Sequence, residues 1–250
     1  MDLLFDLGHS RLKWAGWEQG QLHAPDGAVW RGQDAAGFCA QVLDGLPPPR
    51  RVAIAAVARG ELLDALQQAL RARWHCPVSA PLASARCGAV RNAYRDPPRL
   101  GFDRWAALVG VQARQPGKAA VIVDCGSAVT VDGLRGDGQH LGGIIIPGAQ
   151  MMAEAFYART RLPAADADFT NEIGADTTAD AVAGGAWQAV LGGIERAAGT
   201  WRQRLPQAVL WLTGGDAARV ADALCWPGQV QHAPHLVLEG LAQIIEQGAH

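Results

Sequence analysis

Two stretches of the chain, D-L-G-H-S-R-L-K at residues 6–13 and V-D-C-G-S-A-V-T-V-D at residues 123–132, follow the same pattern. In each, an apolar strand is predicted to end at an aspartate, an Asp-x-Gly turn follows, and a second strand returns. One such triplet is only a common turn, but these two occupy matching places in the two halves of the chain. The pattern therefore predicts an internal duplication of an α/β unit that opens with a β-hairpin.

Hydrophobic periodicity extends the unit beyond each hairpin with further strands and helices. Strands are predicted at 3–7, 11–17, 51–57, 119–125, 129–134, 140–146 and 208–213. Helices are predicted at 35–43, 61–73, 102–113, 149–159, 178–204 and 235–246, with one more ending at 224. We therefore expect two domains, at residues 1–115 and 116–250.

Composition narrows the classes of protein to consider. The 250 residues are 49% apolar and 18% charged, with a net charge of −2, which gives no general attraction to nucleic acid or to anionic lipid. Charged residues or glycines interrupt every apolar run before it reaches the length of a membrane span. An acid stands at residue 2, where a signal peptide needs basic residues, and the five cysteines are scattered. We expect a cytoplasmic protein that binds neither nucleic acid nor membrane.

The two turns have the chemistry of a phosphate site. Glycine lets the backbone approach a ligand closely, so that main-chain N–H groups and a hydroxyl can point at phosphate oxygens. An aspartate at the strand end, such as Asp6, can hold Mg²⁺ directly or through water. Two such turns facing each other would grip a triphosphate from both sides. Lys13 either reaches back to the phosphates or is a solvated strand residue, Ser127 either donates to a phosphate or caps its turn, and His9 is expected at the surface.

Two further segments are candidates for the site. Asp103, in G-F-D-R at 101–104, stands at the start of a predicted helix and either caps it or accepts a proton from a substrate hydroxyl. In the second case Arg104 would hold an anionic end of the substrate. The glycines of T-G-G-D at 213–216 follow a predicted strand. They form either a simple turn or a place where an adenine ring approaches bare backbone.

Seven blocks in order resemble the type III pantothenate kinases, members of the acetate and sugar kinase, chaperone and actin ATPase superfamily. The resemblance covers nearly the whole chain. Besides 6–13 and 123–132, it is carried by V-R-N-A-Y at 90–94, L-G-F-D-R-W at 100–105, H-L-G-G-I-I-I-P-G at 140–148, T-A-D-A-V at 178–182 and L-T-G-G-D-A at 212–217. The fold it implies is α/β, with two ribonuclease H-like (actin-like ATPase) domains, each a mixed sheet flanked by helices.

The resemblance also implies an activity, the ATP-dependent phosphorylation of pantothenate to 4'-phosphopantothenate, which is the first step of coenzyme A biosynthesis. Asp103 would be the proton acceptor, and Asp124 would bind a monovalent cation, potassium or ammonium. The implied contacts with ATP and its Mg²⁺ are Asp6, Leu7, Gly8, His9, Ser10, Arg11, Leu12, Lys13 and Ser127. The implied contacts with pantothenate are Tyr94, Gly101, Phe102, Asp103, Arg104 and Thr178, with Thr177 in place of Thr178 if the alignment slips by one. Family members are homodimers.

The chain departs from the family pattern at both turns. The first motif of the family usually reads D-x-G-N-T-x-x-K, whereas His9 and Ser10 stand here in place of Asn and Thr. The second usually reads D-x-G-T, and Ser127 replaces the threonine. Serine retains the hydroxyl, while histidine changes the shape and the hydrogen-bonding capacity of its position. Two alternatives to a pantothenate kinase are a nucleotide-binding regulatory protein without kinase activity and a kinase for another small acid or sugar.

Overall fold

The computed structural model describes residues 1–57, 60–163, 165 and 167–248, and the chain divides into two compact units. The first unit comprises Met1–Pro116 together with the C-terminal segment from His235 onward. The second unit is Gly117–Pro234. Each unit contains a five-stranded mixed sheet with helices against it, which confirms the predicted α/β class and the duplication.

In the first unit the strand order is β3-β2-β1-β4-β5, with β1 antiparallel to β2 and parallel to β4. The strands are β1 (Asp2–Leu7), β2 (Arg11–Glu18), β3 (Gln21–Val29), β4 (Val52–Ala56) and β5 (Val78–Ser79), and β6 (Arg86–Cys87) with β7 (Val90–Arg91) forms a separate small hairpin. The helices are α1 (Ala35–Leu43), α2 (Glu61–Arg73), α3 (Phe102–Arg114) and α7 (Leu236–Glu246), with a 3₁₀ turn at Pro97–Arg99.

Helices cover both faces of this sheet, which explains why β1 is apolar almost throughout. Leu3, Phe5 and Leu7 belong to one apolar cluster with residues of α1 and α2. Because successive side chains of a strand point to opposite faces, Leu4 and Asp6 lie on the other face. That face is covered by α7, which contacts β1 and β4, and by α3, which contacts β4. Asp6 is thus placed on the same side of the sheet as α3.

The second unit repeats this arrangement, with the strand order β10-β9-β8-β11-β12. Its strands are β8 (Ala120–Cys125), β9 (Ala128–Leu134), β10 (His140–Pro147), β11 (Val209–Thr213) and β12 (Val230–His232), and its helices are α4 (Ala149–Arg159), α5 (Thr178–Arg204) and α6 (Ala217–Ala223). Strands β8 and β9 form the antiparallel hairpin that opens the unit, and β11 pairs with the other edge of β8 in parallel orientation. None of the helices in the described part combines the length and the apolar character needed to cross a membrane.

The expected division at 115/116 agrees with the first boundary to within one residue but differs at the C-terminus. Sequence order placed α7 with residues 116–250, whereas the structure places it in the first unit. Tight packing on α3 is the physical reason. A side chain at Gly240 would overlap the carbonyl of Ala106, and one at Gly110 would meet Leu236. Glycines at these two positions let the helix backbones approach closely.

Candidate active-site residues in the two units

The first glycine turn joins β1 to β2 and is closed by its own backbone. The N–H of Gly8 donates to the carbonyl of Arg11 over 3.0 Å. A side chain at position 8 would come within 3.2 Å of that carbonyl, a tight contact that glycine avoids. Trp30, which directly follows β3, donates its indole N–H to the Gly8 carbonyl over 3.0 Å. His9 lies exposed at the tip of the turn, as the sequence predicted.

Asp6 and Lys13 face each other directly across β1 and β2. Burial raises the pKa of Asp6 from 3.8 to about 6, while the positive charge of Lys13 opposes the rise and the negative charge of Asp103 adds to it. In the protein alone, the surroundings of Asp6 are therefore too poor in positive charge to hold its carboxylate ionised at low cost. A bound cation would supply the missing charge.

Asp103 stands in the first turn of α3, where negative charge is favoured by the helix dipole. Gly101, not Asp103, is the N-cap residue of this helix, and no side chain caps it. The Oδ1 atom of Asp103 accepts the backbone N–H of Arg104 over 2.7 Å. Asp103 is therefore not the N-cap residue, although its carboxylate satisfies one free N–H group of the first turn. The influence of its charge on the pKa of Asp6 shows that the two carboxylates lie within electrostatic reach of each other.

Tyr94 and Arg104, both predicted to contact substrate, are brought together in the first unit. Arg104 donates from Nη1 to the Tyr94 hydroxyl over 2.9 Å, and its guanidinium carbon lies 5.6 Å from the centre of the tyrosine ring. Arg104 is 4% exposed, so this pair fixes a buried positive charge. Asn92 holds the tyrosine in turn, because its Oδ1 accepts the Tyr94 N–H over 2.9 Å. The role of Asn92 was not predicted, although this residue lies in the V-R-N-A-Y block at 90–94.

Three of the predicted contact residues have side chains that pack inside the first unit. Leu7, Leu12 and Phe102 are buried. Leu7 and Leu12 belong to the apolar cluster with α1 and α2. The sequence motif marks these positions as part of a ligand-binding segment, but their side chains serve the core. Any contact of the two leucines with ATP is therefore made through the backbone.

In the second unit, the turn after Asp124 lies against the Gly214-Gly215 turn. The strands β8 and β11 place Asp124 next to Thr213, and the N–H of Asp216 donates to the Cys125 carbonyl over 3.0 Å. Gly214 has a φ of +94°, and a Cβ there would lie 2.5 Å from both Asp124 Oδ1 and the Cys125 carbonyl oxygen. The turn that contains Ser127 is tied down by the Gly148 N–H, which donates to the Ser127 carbonyl over 3.0 Å.

The two adjacent threonines at the start of α5 differ in their hydrogen bonding. Thr177 is the N-cap residue, with its hydroxyl accepting the Asp180 N–H over 3.1 Å and donating to the Asp180 carboxylate over 2.5 Å. Thr178 is exposed, and its hydroxyl makes no hydrogen bond to any residue that the structure describes. Of the two alternatives that the sequence left open, Thr178 has the hydroxyl available to a ligand.

Comparison with known proteins adds evidence of a different kind. A family model described as type III pantothenate kinase matches residues 2–200. A type III pantothenate kinase of Alkalilimnicola ehrlichii is 35% identical over 249 residues, covering 98% of each chain. One of Halorhodospira halophila is 38% identical over 257 residues, covering 96% of each.

Solved structures support the fold. A Campylobacter jejuni protein described as a Baf family transcriptional activator matches with a TM-score of 0.60 at 21% identity, covering 98% of both chains. A 2-dehydro-3-deoxygalactonokinase protein of Sinorhizobium meliloti also gives a TM-score of 0.60, at 16% identity, covering 98% of this chain and 96% of that one. At such identities the likeness concerns the fold alone, and it agrees with the predicted actin-like ATPase class.

Proposed function

The chain belongs to the type III pantothenate kinase family, and we propose that it transfers a phosphoryl group from ATP to the primary hydroxyl of pantothenate. The product is 4'-phosphopantothenate, in the first step of coenzyme A biosynthesis. The observation that carries this proposal is the placement of both Lys13, opposite Asp6 on β2, and Asp103 within electrostatic reach of Asp6 in the first unit. A carboxylate that holds the metal, a lysine on the phosphates and a carboxylate that accepts the hydroxyl proton are recurring parts of enzymes that transfer phosphoryl groups.

We assign Asp103 as the general base, which accepts the proton of the reacting pantothenate hydroxyl as the new phosphate ester forms. The buried guanidinium of Arg104 attracts the pantothenate carboxylate, and its hydrogen bond to Tyr94 keeps it in one orientation. Thr178 supplies a further hydroxyl to pantothenate. For ATP we assign the segment 6–13 and, from the second unit, Ser127. Positioning and charge neutralisation provide most of the rate, because this chemistry needs little covalent help from the protein.

The donor set of the first unit fits Mg²⁺. Among the residues that the structure describes, no three His, Cys, Asp or Glu side chains cluster as a metal site. Mg²⁺ in kinases needs no such cluster, because one or two carboxylates, the phosphates and water complete its shell. Asp6, with a pKa raised to about 6 by burial, is the carboxylate that a divalent ion would relieve. When bound, the ion would neutralise charge on the transferring phosphate.

A second cation, potassium or ammonium, is assigned to Asp124. Its carboxylate lies at the carboxyl end of β8, beside the Cys125 carbonyl and the bare backbone of Gly214. Carboxylate and carbonyl oxygens are suitable ligands for a hard monovalent cation. A cytoplasmic location belongs to the proposal as well, since all five cysteines carry free thiols, as expected in a reducing compartment.

One assay tests the activity. Purified protein is incubated with ATP, Mg²⁺ and pantothenate in potassium, ammonium or sodium salts, and phosphopantothenate is measured. We expect product with potassium or ammonium and little with sodium. Binding of ATP without turnover in any of the three salts would instead support the nucleotide-binding regulatory protein. Turnover of another acid or sugar in preference to pantothenate would support a kinase of different specificity.

Substitution of Gly214 by alanine should destabilise the second unit. The new methyl group would collide with Asp124 and Cys125, and the positive φ is strained for any residue with a Cβ. We expect a loss of about 2–4 kcal/mol in the free energy of unfolding, measured with urea. Gly215→Ala is the matched control, because a Cβ there meets no atom within 4 Å. An equally unstable G215A variant would contradict this account of the turn.

The proposal includes a homodimer, formed through the edge strand β10. An edge strand offers unpaired backbone groups to a second chain. On β10, Ile144 and Ile145 are 46% and 62% exposed, and Phe156 on the following helix is 42% exposed. We expect Ile145→Lys to convert a dimer into a monomer, as measured by light scattering after size exclusion. Val230→Lys, at the opposite edge of the same sheet, should stay dimeric; a dimeric I145K protein would argue against this face.

A further inference from the structure

The peptide between Gly8 and His9 is held from one side by Trp30, a residue outside every motif of the sequence. The indole N–H donates to the Gly8 carbonyl over 3.0 Å. The backbone N–H of Trp30 donates to the Ser10 carbonyl over 3.1 Å. These two bonds bracket His9, one of the two residues at which the turn departs from the family pattern. They fix the carbonyl groups on both sides of it.

The orientation of one carbonyl determines that of the neighbouring N–H. The structure contains no cis peptide bond among the residues it describes, and in a trans peptide the carbonyl and the following N–H point in opposite directions. The Gly8 carbonyl points toward Trp30, so the His9 N–H points away from it. The N–H makes no hydrogen bond to any other part of the described chain. The fold therefore fixes the orientation of this N–H but provides no acceptor for it among the described residues.

The side on which this donor lies is set by the sheet. Trp30 lines a cavity of about 380 Å³ together with Ala35 and Leu62, at the starts of α1 and α2. Asp6 lies on the opposite face of β1, the face covered by α3, whose first turn carries Asp103. A donor that points away from Trp30 also points away from this cavity, and we infer that the His9 N–H is directed to the side of the sheet where the two carboxylates lie. That is the side to which the proposed function assigns the phosphates.

We propose that Trp30 is a positioning residue for ATP, which holds the Gly8–His9 peptide so that the His9 N–H donates to a phosphate oxygen. This rests on the proposed function only in identifying the ligand as ATP. A main-chain donor to a phosphate makes a charge-assisted hydrogen bond, and its value depends on the donor being oriented beforehand. The cavity beside the turn leaves the Gly8 carbonyl room to rotate once the indole bond is lost. Position 9 thus contributes through its backbone.

The test removes the indole donor and keeps an aromatic ring. In Trp30→Phe, we expect the Kd for a non-hydrolysable ATP analogue with Mg²⁺ to rise about tenfold, as measured by calorimetry, with the KM for pantothenate unchanged. Trp17→Phe is the matched control. Trp17 also lies in the first unit and donates its indole N–H, to Glu246 over 2.6 Å, but it is on β2 far along the strand from the turn. Both variants lose one indole bond, and because that of Trp17 is made to a carboxylate, the thermal midpoint of its variant should fall at least as far as that of Trp30→Phe.

An unchanged Kd in the Trp30→Phe protein would overturn the proposal, and so would an equal rise in the Trp17→Phe protein. A parallel rise in the KM for pantothenate would indicate a general loosening of the unit and would also overturn it. The binding measurement does not depend on turnover. If the wild-type protein binds the analogue but does not phosphorylate pantothenate, the proposed function fails while the role of Trp30 is still decided by the Kd.

Discussion

Asp103→Asn is expected to lower kcat for pantothenate phosphorylation about a thousandfold, with the fold intact. The amide cannot accept the proton of the reacting hydroxyl, and general bases typically contribute 10²- to 10⁴-fold. Asparagine retains an oxygen that can accept the Arg104 N–H where Asp103 Oδ1 does now, so this hydrogen bond survives the substitution. Single-turnover kinetics with saturating ATP and pantothenate would measure the chemical step directly.

Asp64→Asn is the matched control for this variant. Asp64 is exposed in the first turn of α2, so both substitutions remove one negative charge near a helix N-terminus in the same unit. A few tenths of a kcal/mol of stability are expected to be lost in each. Only the Asp103 variant should show a large fall in kcat. If it retained most of its kcat and instead required more pantothenate, Asp103 would be a substrate-binding residue and not the base.

Local patterns predicted the parts of the site that depend on local structure. Strand β1, which carries Asp6 near its end, the turn at Gly8 and the return to Lys13 are one hairpin, and its register follows from its short turn. The helical spacing of apolar residues predicted that α3 begins at Phe102, as it does. The two repeats were recognisable because each opens with the same hairpin. In these cases the residues that determine the structure lie within a few positions of one another.

The rest depends on tertiary contacts that no local pattern contains. Strand β3 was missed because it carries Pro25 and Gly27, lies at a sheet edge and is largely exposed, so it shows no alternation of apolar residues. Missing β3 also concealed Trp30, which this strand places beside the first turn. The assignment of α7 to the first unit depends on packing against α3, more than 120 positions earlier in the chain. The raised pKa of Asp6 likewise results from burial, which sequence does not specify.

Asp6→Asn is expected to stabilise the ligand-free protein while removing its activity. The folded-state pKa of Asp6, about 6, lies above the unfolded value of 3.8. Folding therefore favours the protonated carboxyl, and the cost of holding it ionised grows as the pH rises from 3.8 to above 6. The neutral amide escapes this cost. The gain in unfolding free energy is at most about 3 kcal/mol at pH 7.5 and about half of that at pH 5, measured with urea in the absence of Mg²⁺.

The change to asparagine at Asp2, four residues earlier on β1, should have the opposite effect and lower the free energy of unfolding. Burial tends to raise the pKa of Asp2, but hydrogen bonds and charges from Arg50 and Arg51 outweigh it, and the net shift is downward. Arg50 donates to Asp2 from Nε over 2.9 Å, so Asp2→Asn breaks an ion pair and should destabilise the protein at pH 7.5. A destabilised Asp6→Asn protein at that pH would contradict the account of Asp6 as a carboxylate kept for a cation.

The response to Mg²⁺ separates the functional role of Asp6 from its effect on stability. In the wild type, Mg²⁺ with an ATP analogue should raise the thermal midpoint, because binding to the folded state alone stabilises it. The Asp6→Asn protein should begin at a higher midpoint and gain little from the same addition, since the amide offers a weaker ligand than a carboxylate. The two midpoints should therefore approach each other or cross as the ligand concentration increases. That crossing is the expected result if Asp6 is retained as an ionised carboxylate, at a cost in folding stability, because the reaction needs its charge.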